Sequence, residues 1–131
     1  LDIRLYLNLY IIIYIFFPEI ILIGDFNCVE DTLLDRFPGK QRQIERGISE
    51  VNRLKSEFQL EDPVRIYEPN RQLYTFTSYR NSFSRIDRIY ISPDFISYYV
   101  STETQNITDI QHKLLVTNFD FSFQRLFGPS F

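Results

Sequence analysis

Two polar side chains, Asp25 and Asn27, stand where a short apolar run breaks off, at the end of Ile20–Asn27, IILIGDFN. A carboxylate and a carboxamide two residues apart can accept a proton from water, hold a divalent cation and donate to a phosphate oxygen. Two further groups could work with them. Asp87 lies in the alternating stretch Phe83–Ser92, FSRIDRIYIS, and His112, the only histidine, precedes an apolar run. An imidazole oriented by a carboxylate can present a proton or a positive charge near neutral pH. Each residue also has an ordinary reading. Strand-end Asp and Asn cap turns, Asp87 could pair with Arg85 or Arg88, and one histidine can be a surface residue.

The elements that must position these groups can be traced from the pattern. Ile20–Ile23 reads as a strand covered on both faces, and Gly24 lets the chain turn, so that Asp25 and Asn27 emerge at the strand's C-terminal end. Upstream, Leu5–Phe17 holds 13 uncharged residues before Pro18 and Glu19, short of the ~18 that span a bilayer. It is expected to be a buried strand or short helix, with a membrane anchor as the lesser option. Cys28–Lys40 is a loop whose Glu30, Asp31 and Asp35 are read as solvated, with a metal site as the sharper alternative. Ile44, Ile48, Val51, Leu54 and Phe58 form one stripe on a helix predicted over Lys40–Leu60, weakened by Gly47 and stopped by Pro63.

Val64–Tyr67 is predicted to be a short strand. Leu73–Tyr79 and Phe83–Ser92 should form a hairpin across Arg80-Asn81-Ser82. In its second strand Arg85, Asp87, Ile89 and Ile91 share one face, and Ser84, Ile86, Arg88 and Tyr90 share the other. A helical turn from Ser92 through Ile96, and strands over Tyr98–Glu103 and Leu114–Phe123, complete the chain. Ile20–Ile23, Ile89, Ile91, Leu115 and Phe119 should make one buried face beneath the helix stripe of Ile44, Ile48 and Val51.

At 131 residues a single domain is expected. One cysteine, Cys28, excludes a disulfide within the chain. A net charge of −3 argues against a generally basic nucleic-acid binder, yet Lys40–Arg88 holds 10 basic and 7 acidic residues. Such a basic middle suits a phosphate track or simply a solvated helix face. The chain begins with Leu1 and contains no Met, which suggests a fragment or an incomplete gene model.

The order GDFN (24–27), then YTFTS (74–78) with SFSRIDRIYIS (82–92), then QHKLLV (111–116) resembles the endonuclease/exonuclease/phosphatase superfamily. Within it the second motif pair looks most like the endonuclease domains of non-LTR retrotransposons. The resemblance implies an α/β fold, the C-terminal half of a deoxyribonuclease I-like α/β sandwich with a mixed, mostly antiparallel sheet and one main helix. Residues 1–19 would be a divergent apolar segment and 20–131 the partial domain. It further implies Mg²⁺-dependent hydrolysis of DNA by an intracellular protein, with the nucleus as the place of action. A reverse transcriptase region and the N-terminal half-domain would be its partners in an intact element.

On this resemblance Asp25 positions or deprotonates the attacking water and is the one remaining metal ligand, and Asn27 holds phosphate and Asp25 together. Asp87 orients His112, which faces the phosphate. Thr75, Ser84, Arg85 and Arg65 fall where the family keeps support or phosphate contacts. Two departures stand out. The family's closing Ser-Asp-His reads Ile110-Gln111-His112 here, so a neutral amide replaces a carboxylate, with Asp109 two positions upstream of it. No stretch before Ile20 can carry the family's metal-binding glutamate and early asparagine, so the chain is expected to be inactive by itself. Three other readings stay open: a phosphatase or lipid phosphodiesterase of the same superfamily, a non-catalytic remnant binding nucleic acid, and a small membrane-associated protein.

Overall fold

The computed structural model describes residues 10–16 as backbone, and 18–107 and 111–122 with their side chains. Asp109, Ile110 and the start of Leu5–Phe17 lie outside the described residues, as does the Phe123 end of the last predicted strand. The apolar run around Ile21 forms β2, Glu19–Asp25, the centre of a three-stranded sheet between β1, Tyr10–Phe16, and β6, Asp87–Ile91. Of the two options for the upstream run, its described part is therefore a strand.

β-branched residues stiff at χ1 favour this pleated surface. Its register also decides which face each residue joins. Leu22 lies opposite Tyr90, whereas Ile21 and Ile23 lie opposite Ile91 and Ile89. Leu22 and Tyr90 pack with Phe26, Cys28, Ile48, Val51, Leu54 and Leu60, while Ile89, Ile91 and Phe95 form a second cluster with Ile21, Ile23 and Phe119 against it. The expectation of one buried face is thus corrected: a period of two sends successive residues to opposite sides. Leu115 is only half-buried.

Helix α1 runs Ile48–Glu57, not from Lys40. Gly47, at φ 95°, takes the left-handed conformation immediately before it. Residues ahead of that break are tied to the preceding loop instead: Thr32 Oγ1 donates to the Gln41 carbonyl and accepts from the Gln43 N–H. Ile44 is therefore 86% exposed and outside the core, while Ile48, Val51 and Leu54 are buried. Full burial of each such side chain is worth about 1.5–3 kcal/mol.

The predicted strand at Val64–Tyr67 is a short helix, α2, Pro63–Tyr67. Asp62 caps it by accepting from the Val64 and Arg65 N–H groups, and Pro63 occupies the first turn, where its missing N–H is harmless. Pro63 thus starts a helix instead of stopping one. The hairpin is present but short. β4, Phe76–Thr77, pairs with β5, Phe83–Ser84, which also pairs with β3, Arg36–Phe37. Its turn is held by Ser78, whose Oγ accepts from the Ser82 and Arg80 N–H groups.

The chain then leaves the hairpin at Arg85 and enters the other sheet as β6. A 3₁₀ turn over Pro93–Tyr98 follows, and β7, Tyr99–Gln105, pairs with β8, Leu114–Phe119. All these pairings are antiparallel, so the expected mixed sheet is replaced, among the described residues, by three small antiparallel ones. Among those residues no helix is long and apolar enough to cross a membrane.

Candidate active site

β2 and β6 place Asp25 and Asp87 directly opposite each other across the ladder. Like charges so placed repel, which is unfavourable unless something positive stands between them. Partial burial, reinforced by the Asp87 charge, holds the Asp25 carboxyl above the usual range, although the Asn27 N–H and the His112 ring pull it down in part. The His112 imidazole adjoins both carboxylates. Its Nδ1–H donates to Asp87, 3.0 Å from Oδ2 and 3.2 Å from Oδ1. Its Nε2 lies 3.8 Å from Asp25 Oδ2. Ligand atoms of the three residues all lie within 4.8 Å of one another.

The histidine is seated by β4. His112 bridges Phe76, the Thr77 N–H donates to the Gln111 carbonyl at 3.0 Å, and the Lys113 N–H donates to the Thr75 carbonyl at 2.7 Å. The Phe76 ring lies against the imidazole with centroids 4.9 Å apart. Asn27 contributes through its backbone. Its φ of 54° is a left-handed value that asparagine tolerates, and its N–H reaches Asp25 Oδ1 at 2.8 Å. The Asn27 residue itself is exposed beside the cluster.

The structure thus brings Asp25, Asn27, Asp87 and His112 to one end of the central sheet. It does not bring the weaker sequence candidates there as phosphate contacts. Thr75, Ser84 and Arg85 are buried, at 0%, 4% and 1% exposure, where no phosphate could reach them. The Arg85 guanidinium donates to both Asp62 oxygens, at 2.7 and 2.9 Å. Arg65 pairs with Asp35 and donates to the Arg71 carbonyl. These two arginines brace the acidic loop and α2. The loop carboxylates are correspondingly not free in solvent: Glu30 pairs with Lys55, Asp31 accepts from the Leu33 and Leu34 N–H groups, and Asp35 is buried. Gln111, in place of a carboxylate, is half-buried, and Asp109 lies outside the described residues.

Sequence reasoning missed Arg88. It was a potential partner for Asp87, but strand alternation turns it to the opposite face. There it is fully buried, its guanidinium donating to the carbonyls of Cys28 and Arg85 and to the Tyr90 hydroxyl, with its cation 5.0 Å from the Phe26 ring centroid. It fastens the turn after Asp25 to the start of β6. The sequence signal was the Arg88–Tyr90 spacing on one face. Phe76 and the two backbone bonds that seat His112 carry no comparable signal.

Hydrogen bonding limits what metal the site could take. Both Asp87 oxygens already face the imidazole, so Asp25 is the carboxylate most available to a divalent cation, with water or phosphate oxygens completing the shell. The residues fit a cation held weakly from one side.

The described elements make up a mixed α/β fold of small antiparallel sheets and few helices. The chain superposes on a 3'-5' exonuclease from Neisseria meningitidis with a TM-score of 0.63 and 22% identity, over 77% of this chain. It spans only 45% of that chain. No family model matches the sequence, and no curated protein matches it either.

Proposed function

We propose that Asp25, Asn27, Asp87 and His112 form the acid–base part of a metal-assisted phosphodiesterase site directed at DNA, of the endonuclease/exonuclease/phosphatase kind. The observation that carries this reading is the imidazole held between two carboxylates, bonded to Asp87 through Nδ1 and facing Asp25 through Nε2. Asp87 selects the tautomer and stabilises the imidazolium. His112 then offers a proton or positive charge to a phosphate oxygen. Asp25 takes the proton of the attacking water as the new P–O bond forms, the P–O bond to the departing oxygen breaks, and that oxygen takes a proton from solvent water. A bound Mg²⁺ would neutralise phosphate charge in this chemistry, with Asp25 as its ligand.

The YTFTS and SFSRIDRIYIS segments favour the retrotransposon-endonuclease type and hence DNA as the substrate. The alternative of a remnant that binds nucleic acid through its basic middle is weakened. Arg65, Arg71, Arg85 and Lys55 are all in ion pairs. Residues 20–131 are read as part of a larger domain, and these residues alone are expected to turn over no DNA. Losing even one preorganised donor typically costs ~10²–10³ in rate.

The test combines turnover with metal proximity. The chain should not nick supercoiled plasmid with Mg²⁺ above an Asp25→Ala control, while Mn²⁺ should broaden the His112 ring resonances in the intact chain and less in that variant. Nicking that disappears in both Asp25→Ala and His112→Ala would keep the chemistry and overturn the inactivity. Neither nicking nor broadening would sink the reading.

A further inference from the structure

Thr75 is bonded to both segments that carry the Asp87–His112 pair. Its N–H donates to the Ser84 carbonyl at 2.9 Å, and its own carbonyl accepts from the Lys113 N–H at 2.7 Å, one residue from the imidazole. Its hydroxyl oxygen accepts from two successive N–H groups, those of Ile86 at 3.2 Å and of Asp87 at 3.0 Å. The residue is 0% exposed, so water cannot stand in for any of these partners.

The place of these bonds matters. Between Ser84 and Asp87 the chain leaves the β3–β5–β4 sheet and enters the β1–β2–β6 sheet. Neither sheet's ladder holds Arg85 and Ile86 at that crossing. The Arg85 N–H donates to the Asp35 carbonyl instead, and the Thr75 hydroxyl takes the N–H groups of Ile86 and Asp87. One side chain therefore holds the peptide of Asp87, while the same residue's backbone holds the segment bearing His112 just ahead of β8.

We propose that Thr75 is the positioning residue of the site: its buried hydroxyl sets where the Asp87 carboxylate meets His112 Nδ1, and so which imidazole nitrogen carries the proton. The inference rests on reading Asp87 and His112 as the working pair, but its test reads the geometry of the pair and not turnover. A chain that cleaves nothing still decides it, so failure here is distinct from failure of the nuclease reading.

His112 is the only histidine, so its ring nitrogens give an unambiguous ¹⁵N spectrum. At a pH where the ring is neutral, the wild-type chain should show the Nδ1–H tautomer that the Asp87 bond demands. Thr75→Val removes only the hydroxyl at nearly constant shape and should shift the spectrum toward that of a free histidine. Thr75→Ser, which keeps the hydroxyl, should leave it as in wild type. Should the valine chain not fold, Thr75→Ala and Thr75→Ser make the same comparison, since both lose the methyl group and differ only in the hydroxyl. A valine or alanine variant that keeps the wild-type tautomer would overturn the proposal. So would a serine variant that loses the tautomer as completely as alanine.

Discussion

Asp25 illustrates a stability cost carried by a chemically useful residue. Its folded-state pKa is raised, first by burial and then by Asp87 opposite, so its ionised form opposes folding. That opposition is present above the raised folded pKa and absent below the ordinary carboxylate range. Asp25→Asn should therefore stabilise the chain at pH 7, by up to about 1 kcal/mol as for a relieved cross-strand charge pair. The gain should vanish in acid, which urea titrations at the two pH values would show. Glu30 has the reverse sign. Burial pushes it up, but its hydrogen bond and ion pair with Lys55 pull it down further, and the net shift is downward. Its contribution is complete above the ordinary glutamate range and is lost as pH falls through the lowered folded value. Glu30→Gln should flatten the acid limb of the stability–pH curve.

Among the elements, Gly47 separates two accounts of the same stretch. If the helix ran from Lys40, replacing a mid-helix glycine with alanine would stabilise it by up to about 1 kcal/mol. With Gly47 at φ 95°, the same change forces a Cβ into the left-handed region and should destabilise by about 1–2 kcal/mol. A chemical-denaturation midpoint gives the sign. Asp62 makes a comparable case, because it both caps α2 and accepts from buried Arg85. Asp62→Ala removes the carboxylate that the guanidinium donates to, leaving only Asp35 at 3.8 Å, and should cost about 3–5 kcal/mol, read in the same way. The strands β2 and β6, the hairpin turn, the 3₁₀ turn and the last two strands were legible because a continuous apolar run, period-two alternation and turn residues are local signals. The truncated α1, the helical α2 and the paired loop carboxylates were not. The carboxylates depend on partners distant in sequence, Arg65 lying 30 residues from Asp35 and Lys55 25 from Glu30, whereas Gly47 and Asp62-Pro63 are local signals that were read as a tolerated mid-helix glycine and a helix stop. The four clustered site residues were nameable from motif order and Thr75 from the resemblance, but the groups Thr75 bonds and the Phe76 and Arg88 supports follow only from the folded register.

For the whole molecule, the two sides of the central sheet are unequally covered. On the α1 side Leu22 and Tyr90 are buried by a helix and the Phe26–Cys28 turn. On the other side Ile21, Ile23, Tyr98 and Phe119 are only partly buried around Ile89, Ile91 and Phe95. Phe121, which packs on Phe95 and Phe119, is exposed. An apolar surface of this kind is uncommon on a soluble monomer. The chain should bind an environment-sensitive hydrophobic dye in its folded state, and sedimentation should show it self-associating as concentration rises. A monomer that ignores the dye would show that this face is covered.

Cys28 gives the molecule a clock. Its thiol is buried in the α1-side cluster, burial pushes its pKa up, and Arg88 holds the carbonyl of the same residue. A thiolate reagent can reach it only when the turn behind Asp25 opens. Because no other thiol exists in the chain, the labelling rate measures the opening of that turn by itself, without a background to subtract. Comparing that rate with the global unfolding rate would tell whether the site end of the sheet breathes independently or opens only when the whole chain unfolds.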